Sequence, residues 1–186
     1  IESALNENDK NDIEVERWWL GTKAMQDCIA CHKCSVLGHC VFNDIVVDFA
    51  KAAHDADGSV FASPVYYAHP TGRLLSFMDR AFYSDQSAFA FKPAAAVFAA
   101  RRAGQEPSMD VVNKYFTIAS MPVVSSTYWN SIYGQNADQA KQDVEGMAVM
   151  RNIGLNMAWM LKCIQAGKEA GIDHPENPTP RMNFIR

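Results

Sequence analysis

The sequence predicts an α/β protein in which a parallel β-sheet is covered by helices on both faces. Three short apolar runs carry this prediction: residues 59–65 (SVFASPV), 93–100 (PAAAVFAA) and 122–126 (PVVSS). Runs of this length, bounded by glycine or proline, are typical of strands buried on both faces. Segments of helix length separate them, and strands that alternate with helices form parallel sheets.

A strand and a helix are predicted before the first of these runs. Residues 13–20 (IEVERWWL) alternate apolar with acidic side chains before two tryptophans, the pattern of a strand with one covered face. A helix is predicted over residues 45–56, because Asn43 and Asp44 offer side-chain oxygens that accept orphan amide hydrogens. Its apolar residues Val46, Phe49, Ala50 and Ala53 fall on one face.

Three further helices are predicted from periodicity. The first follows the turn signals at Pro70 and Gly72. Its apolar positions are Leu74, Leu75, Met78 and Phe82. The others cover residues 108–116 and 137–166, the last with the apolar stripe Met147, Met150, Ile153, Met157 and Leu161. Core packing is the simplest explanation of that stripe.

One domain is predicted over residues 1–172, followed by a tail over residues 173–186. A chain of 186 residues fits one domain and is long enough to bury a core. Pro175, Pro178 and Pro180 prevent a continuous helix in the tail. We therefore expect the tail to lie extended against the domain or against a partner subunit.

Composition narrows the classes of partner. Hydrophobic residues make up 48% of the chain and charged residues 20%, values that are ordinary for a globular protein. The net charge of −4 provides no basic surface for nucleic acid or an anionic membrane. No apolar run reaches the length of a membrane span and the first residues have no signal-peptide pattern, so a cytoplasmic location is expected.

Four of the five cysteines lie within one loop, CIACHKCSVLGHC, as Cys28, Cys31, Cys34 and Cys40. Thiolates are soft ligands, and this spacing lets a short loop wrap around an iron–sulfur cluster. Zinc is an alternative occupant, although zinc sites usually gather their ligands as two separated pairs. Disulfides or idle thiols are a further alternative, and disulfides are rare in a reducing compartment. His32 and His39 of this loop are more simply explained as surface residues than as ligands.

Ligands of parallel sheets collect at the carboxyl ends of the strands, and three unusual loops are predicted there. The first, SPVYYAHPTG after Ala62, presents two tyrosines on which a flat ring system could stack, or which merely pack against neighbours. The second places Arg101 and Arg102 beside Gly104, where the cations suit a reduced ring or a phosphate, or form a solvated surface pair. The third, TYWN at residues 127–130, adds two aromatic residues.

Taken together, five segments resemble the iron–sulfur flavoprotein and NAD(P)H-dependent FMN reductase group. These are the cysteine loop, SPVYY, LLSFMDRAFY (74–83), KPAAAVFAARRAG (92–104) and PVVSSTYWN (122–130), and the resemblance covers residues 13–162. It implies a flavodoxin-like sheet with FMN across the strand ends, often at a subunit interface. It also implies electron transfer to quinones, nitro or azo compounds, oxygen or iron–sulfur partners.

The matching motifs imply specific site residues. Those that would hold the flavin ring are Ser63, Pro64, Val65, Tyr66 and Tyr67. Those that would face its pyrimidine side are Arg101, Arg102, Ala103 and Gly104. The resemblance further implies that Cys28, Cys31, Cys34 and Cys40 ligate a four-iron four-sulfur cluster.

The sequence departs from the family at its beginning. The family opens with a strand and a Gly-Ser-Pro type loop that binds the FMN phosphate at a helix N-terminus, whereas IESALNEND resembles the end of that first helix. We expect the natural protein to carry an upstream segment of about 20 residues. Without it, an open groove is expected between residues 13–20 and the strand at 59. Each unsatisfied buried group there costs about 1–3 kcal/mol, so the chain as written is expected to be unstable.

The leading functional prediction is an FMN-dependent oxidoreductase that passes electrons from NAD(P)H, or from a ferredoxin-type protein donor, to a small-molecule acceptor. No catalytic side chain is predicted, because the flavin supplies the chemistry. One alternative is a nonenzymatic electron carrier, and another is a zinc-stabilised binding module with an empty flavin site. Apolar and aromatic residues on exposed helices indicate a homo-oligomer.

Overall fold

A four-stranded sheet forms the centre of the fold in the computed structural model, which describes residues 1–7 and 13–178. Within these residues its order is β2-β1-β3-β4. The strands are β1 (Ser59–Tyr66), β2 (His69–Pro70), β3 (Ala94–Ala100) and β4 (Ser131–Tyr133). β1 and β4 both run parallel to β3, while the short β2 pairs antiparallel with the end of β1. The prediction of an α/β fold is confirmed, with a mixed sheet in place of a purely parallel one.

Helices surround this sheet, and the side chain of the N-cap residue stabilises the start of several of them. They are α1 (Glu2–Leu5), α2 (Cys34–Leu37), α3 (Ile45–Asp55), α4 (Gly72–Ser84), α5 (Gln105–Ile118), α6 (Ala137–Ala140) and α7 (Val144–Glu169). The Asp44 carboxylate accepts a hydrogen bond from the backbone amide of Val46 at the start of α3, as predicted. Thr71 caps α4 in the same way through the amide of Leu74.

The core consists of two layers, one on each face of the sheet, and β3 contributes to both. Ala94, Ala96 and Phe98 pack with α3, α4 and α5, while Ala95 and Val97 pack with α7. This alternation follows from the period of two in a strand. Phenylalanines fill the first layer, and the Phe82 and Phe89 rings stack with their centroids 4.3 Å apart. Burial on both faces explains why β3 is a continuous apolar run.

The prediction of a strand at residues 122–126 is wrong. Val123 forms only an isolated bridge to Ala94, and the chain then leaves the sheet before returning as β4. Paired positions advance by four residues on β3, from Ala94 to Phe98, but by eight along the other segment, from Val123 to Ser131. The extra residues loop out, so the TYWN segment precedes a strand instead of ending one.

The prediction of a single helix over residues 137–166 is also wrong, because this segment forms two helices, α6 and α7. Asp143 lies between them, where its carboxylate accepts hydrogen bonds from the amides of Gly146 and Tyr133. An N-cap of this kind begins a new helix and fixes it to the end of β4. The stripe on α7 packs as predicted at Ile153 and Met157, whereas Met147 is exposed.

The strand predicted at residues 13–20 is absent, and a groove lies beside this segment. The groove, of about 1880 Å³, lies between residues 13–18 and the first half of β1, with Phe49 and Leu161 among its apolar walls. In the described chain, residues 59–64 of β1 pair with β3 alone. An extended segment forms a β-strand only when a neighbouring strand pairs with it. Here the groove separates residues 13–18 from β1, so the two segments do not pair. The predicted groove is present.

The end of the described chain returns to the domain. Residues 172–178 form neither helix nor strand, and the His174 ring stacks on Phe91 with centroids 4.1 Å apart. The predicted tail includes Pro180, which lies outside the described residues. No helix in the described part of the chain is long and apolar enough to cross a membrane.

Candidate functional site

The end of β1 forms a tight hairpin with β2, and its tip is strained. Tyr66 pairs with His69, and the two residues between them, Tyr67 and Ala68, adopt left-handed φ angles of 53° and 58°. Two consecutive positive φ angles in a two-residue loop define the turn that matches the twist of a hairpin. Glycine or asparagine usually occupies such positions, so two other residues there indicate a functional constraint. Tyr67 is fully exposed and Tyr66 is largely exposed.

The residues Ser63, Pro64 and Val65 belong to β1, as the strand predicted over residues 59–65 implied, so the loop predicted after Ala62 begins only beyond Tyr66. The Ser63 hydroxyl is buried and lies within hydrogen-bonding distance of Thr71 Oγ1, at 3.2 Å, and of the Pro64 carbonyl, at 2.8 Å. It also accepts a hydrogen bond from the amide of Thr71. Ser63 therefore connects the strand to the cap of α4, which fixes the base of the hairpin.

The turn after β3 lies in direct contact with this hairpin. Gly104 has φ of 101°, and a Cβ placed on it would lie 2.5 Å from Ala68 Cα and 2.8 Å from Val65 Cγ1. Only glycine permits this backbone conformation together with such a close approach. The structure therefore brings together the first two predicted loops, with Arg101, Arg102 and Ala103 exposed beside the contact.

The N-terminus of α5 begins at this contact and carries unsatisfied polar groups. Gly104 provides no side-chain cap, and the amides of a helix N-terminus favour an anionic group. The Gln105 side chain is 0% exposed, yet neither its Nε2 nor its Oε1 has a hydrogen-bond partner. Buried amides are normally paired, so this one is unexplained by the protein alone. The strained tyrosine turn and these polar groups fit a flat ring system with donors and acceptors, such as a flavin.

The third predicted loop lies between two pairings with β3, the isolated bridge of Val123 to Ala94 and the pairing of Ser131 with Phe98. Tyr128 and Trp129 pack against each other with ring centroids 4.9 Å apart. Hydrogen bonds connect their loop to α7, from Asn152 Nδ2 to Thr127 Oγ1 at 3.0 Å and from Asn156 Nδ2 to the Ser125 carbonyl at 2.8 Å. The segment returns to the sheet at Asn130, whose carbonyl accepts a hydrogen bond from the amide of Phe98 at 3.1 Å.

The cysteine loop forms a second candidate site at the other end of α4. Its four clustered thiols are free and line one small pocket: Cys28, Cys31, Cys34 and Cys40. Tyr83, near the end of α4, also lines this pocket. Thr71 and Tyr83 are twelve positions apart on α4, which corresponds to roughly 18 Å along a helix axis.

The backbone of the cysteine loop has the pattern of an anion-binding nest. Ala30 and His32 adopt left-handed φ angles of 49° and 56°, and the next residue, Lys33, is right-handed with φ of −64°. When the two hands alternate, successive N–H groups turn toward one side, as they do at many iron–sulfur sites. The space between the thiols is about 20 Å³, so a guest requires the loop to widen. Donor type, donor number and backbone pattern fit a cluster.

The described residues contain no preformed site for a single metal ion. Among the described residues, no three side chains of His, Cys, Asp or Glu are gathered as one metal ion requires. A tetrahedral zinc site gathers its thiolates at about 2.3 Å from one ion, and therefore close to one another. In a four-iron cluster each thiolate binds a different iron, so the ligands lie farther apart.

Arg80 of α4 lies beneath the cysteine loop and is the largest fully buried side chain among residues 1–7 and 13–178. Its guanidinium donates to both carboxylate oxygens of Asp44, each at 2.7 Å, and its Nε donates to Cys40 Sγ at 3.2 Å. Burial by itself lowers the pKa of Arg80, but the hydrogen bonds to Asp44 and Cys40 outweigh it, and the pKa is raised. The arginine therefore remains charged.

Sequence reasoning missed both Arg80 and Gln105. A cation at position 80 interrupts the apolar segment LLSFMDRAFY, and this is the signal that could have identified a buried, partnered arginine. Nothing in the sequence marks Gln105, because its burial depends on how α5 packs.

Comparisons with known proteins show the family of the chain. The family model described as NADPH-dependent FMN reductase matches residues 1–135. The chain is 31% identical over 176 residues to an iron–sulfur flavoprotein of Methanocaldococcus jannaschii, covering 89% of this chain and 90% of that protein. It is 25% identical over 174 residues to an iron–sulfur flavoprotein of Methanosarcina thermophila, covering 91% and 90%.

A solved structure has the same fold. It is a flavodoxin, WrbA-like protein from Agrobacterium tumefaciens, with a TM-score of 0.54 and 16% identity, covering 62% of this chain and 73% of that one. The fold is therefore flavodoxin-like, as the resemblance implied. The chain belongs to the NADPH-dependent FMN reductase family.

Proposed function

We propose that this member of the NADPH-dependent FMN reductase family is an FMN-dependent oxidoreductase that passes electrons from NAD(P)H or a reduced protein donor to a small acceptor. Quinones, nitro or azo compounds and oxygen are the proposed acceptors. The observation that supports this most directly is the contact between the hairpin tip and Gly104. In it, an exposed tyrosine turn, two exposed arginines and a helix N-terminus without a side-chain cap lie on one rim.

The roles proposed for this rim follow from its chemistry. Residues 63–67 would hold the flavin ring, with Tyr66 and Tyr67 offering aromatic faces. Residues 101–104 would face its pyrimidine side, where the two arginines favour an anionic reduced ring. Bound FMN would supply the electron-accepting chemistry, and the protein would supply position, charge and exclusion of water.

The cysteine loop is proposed to hold a four-iron four-sulfur cluster. Its four thiols share one pocket and its backbone has the nest pattern. The names of the relatives support the same assignment, since they are iron–sulfur flavoproteins. A cluster on an exposed loop suits exchange of single electrons with a ferredoxin-type protein donor. We further propose a homo-oligomer, because large aromatic side chains such as Trp159 of α7 remain exposed.

The test is anaerobic purification followed by a visible spectrum, with assays of released FMN, iron and acid-labile sulfide. Bound flavin together with steady oxidation of NADH or NADPH in the presence of a quinone is the expected result. Retained flavin without turnover would instead favour a nonenzymatic electron carrier. A colourless protein that contains zinc would overturn the proposal.

A further inference from the structure

We infer that Arg80 is a positioning residue that holds the cysteine loop at its two ends and raises the reduction potential of whatever cluster the loop binds. This inference rests on the proposed iron–sulfur cluster. It goes beyond that proposal because it assigns the electronic setting of the cluster to one side chain outside the cysteine motif.

The first reason is that the burial of Arg80 needs an explanation. The side chain is only 1% exposed, and a buried cation costs several kcal/mol unless it is fully paired. A methionine or leucine would fill the same space between α4 and the loop without that cost. We therefore expect the Arg80 guanidinium to have a role toward the groups that it contacts.

The second reason is where those contacts lie in the chain. Besides the Asp44 carboxylate, the guanidinium donates to the carbonyls of Gln26, at 3.3 Å, and Phe42, at 3.0 Å. Gln26 precedes the first clustered cysteine by two residues, and Phe42 follows the last by two. One side chain thus connects both ends of the cysteine loop to α4. If the thiols move apart around a cluster, the base of the loop stays fixed.

The third reason is the contact with sulfur itself. Arg80 Nε lies 3.2 Å from Cys40 Sγ. A hydrogen bond to a ligating sulfur, from a donor that is also positively charged, stabilises the more negative reduced cluster relative to the oxidised one. The reduction potential therefore rises. Among the thiol hydrogen bonds of the described residues, this is the one whose partner group is charged.

Asp44 compensates the positive charge of Arg80. The reduction potential can therefore be shifted either way, by removing the charge of Arg80 or that of Asp44. Its two oxygens accept the guanidinium fork, and Oδ1 also caps α3 through the amide of Val46. Asparagine is an equally good N-cap, so Asp44→Asn removes the negative charge while keeping the helix start. Loss of the carboxylate leaves the Arg80 charge uncompensated, and the potential should become more positive.

The experiment measures the midpoint potential of the cluster by anaerobic titration with dithionite, followed by electron paramagnetic resonance. One electron enters the cluster in each reduction. For Arg80→Gln we expect the ratio of reduced to oxidised cluster, measured at the wild-type midpoint, to fall about tenfold, which corresponds to about 59 mV. For Asp44→Asn the midpoint should move in the opposite direction.

Arg73→Gln is the matched control, because it also replaces an arginine of α4 by a neutral side chain. Arg73 also lies on α4, and within the described part of the chain its guanidinium donates only to backbone carbonyls of residues 20–23, with no thiol among its partners. Its replacement should leave the midpoint unchanged. If Arg80→Gln fails to fold, as judged by circular dichroism, Asp44→Asn carries the test alone.

The outcomes separate the two levels of the argument. A wild-type protein that contains neither iron nor sulfide after anaerobic reconstitution overturns the cluster proposal and this inference with it. A wild-type protein with a normal cluster, whose midpoint is unmoved by Arg80→Gln and by Asp44→Asn, overturns the role of Arg80 alone. Opposite shifts in these two variants, with none in Arg73→Gln, support the inference.

Discussion

Replacement of Gly104 by alanine tests the contact on which the flavin site depends. The added Cβ would lie 2.5 Å from the backbone Cα of Ala68, so Ala68 must move by about 0.9 Å to reach ordinary contact at 3.4 Å. The neighbouring Val65 Cγ1, at 2.8 Å, must also move. Because one of these atoms belongs to the backbone of the hairpin tip, the whole turn would have to shift.

Two costs add in this variant. Alanine at a positive φ costs about 1–2 kcal/mol. An extra methyl group in a packed contact costs about 1–3 kcal/mol. We therefore expect Gly104→Ala to lower the free energy of unfolding by roughly 2–5 kcal/mol, a large part of the roughly 5–15 kcal/mol that stabilises a typical domain.

Urea unfolding measures this loss, and two other glycines provide controls. Gly38 also has a positive φ, of 72°, but a Cβ there would meet no atom within 4 Å, so Gly38→Ala measures the backbone cost alone. Gly72 has neither restriction, and Gly72→Ala should leave the stability unchanged or raise it by up to about 1 kcal/mol. The difference between the Gly104 and Gly38 variants is the cost of the contact.

The same variant should bind FMN at least about tenfold more weakly, the equivalent of about 1.4 kcal/mol, because the tyrosine turn is displaced. Fluorescence titration of the folded variant with FMN gives this value. Equal stabilities of the Gly104 and Gly38 variants, together with unchanged FMN affinity, would refute the reasoning that these two turns form one site.

Three further predictions concern single properties of the chain. Tyr67→Ala should leave urea stability within about 0.5 kcal/mol of wild type, because the ring is fully exposed, yet weaken FMN binding about 2- to 10-fold in the fluorescence titration. Replacing Arg101 and Arg102 together by alanine should weaken FMN binding and reduce its dependence on salt, and an unchanged salt dependence would contradict their role. Burial, and then the hydrogen bond to Asp79, raise the pKa of Tyr115. The unfolded chain releases the tyrosine proton from about pH 10, whereas the folded chain holds it to a higher pH. The stability that Tyr115 provides below about pH 10 is therefore lost as the pH rises above that value. In unfolding measured against pH, Tyr115→Phe should lose less stability than wild type above about pH 10.

The strands β1 and β3 and the helices α3 and α4 could be predicted because each has a local signal. β1 and β3 are apolar runs between turn residues, and Asp44 and Thr71 mark the starts of α3 and α4. The errors arose where pairing decided the structure. Residues 122–126 have the composition of a strand, but a loop carries the chain away from β3 after a single bridge. Residues 13–20 alternate like a strand, but a groove separates them from β1.

The sequence by itself determined the fold class, the family, and which residue types are concentrated in the cysteine loop and in the two turns after the buried strands. Local periodicity, turn chemistry and motif spacing carry this information, because they act over a few residues. Tertiary structure alone decided that Gly104 contacts Ala68, that the two candidate sites lie at opposite ends of α4, and that Arg80 reaches Cys40 and Asp44. These pairs are separated by about 36 to 40 residues of chain, and only packing against the sheet brings them together.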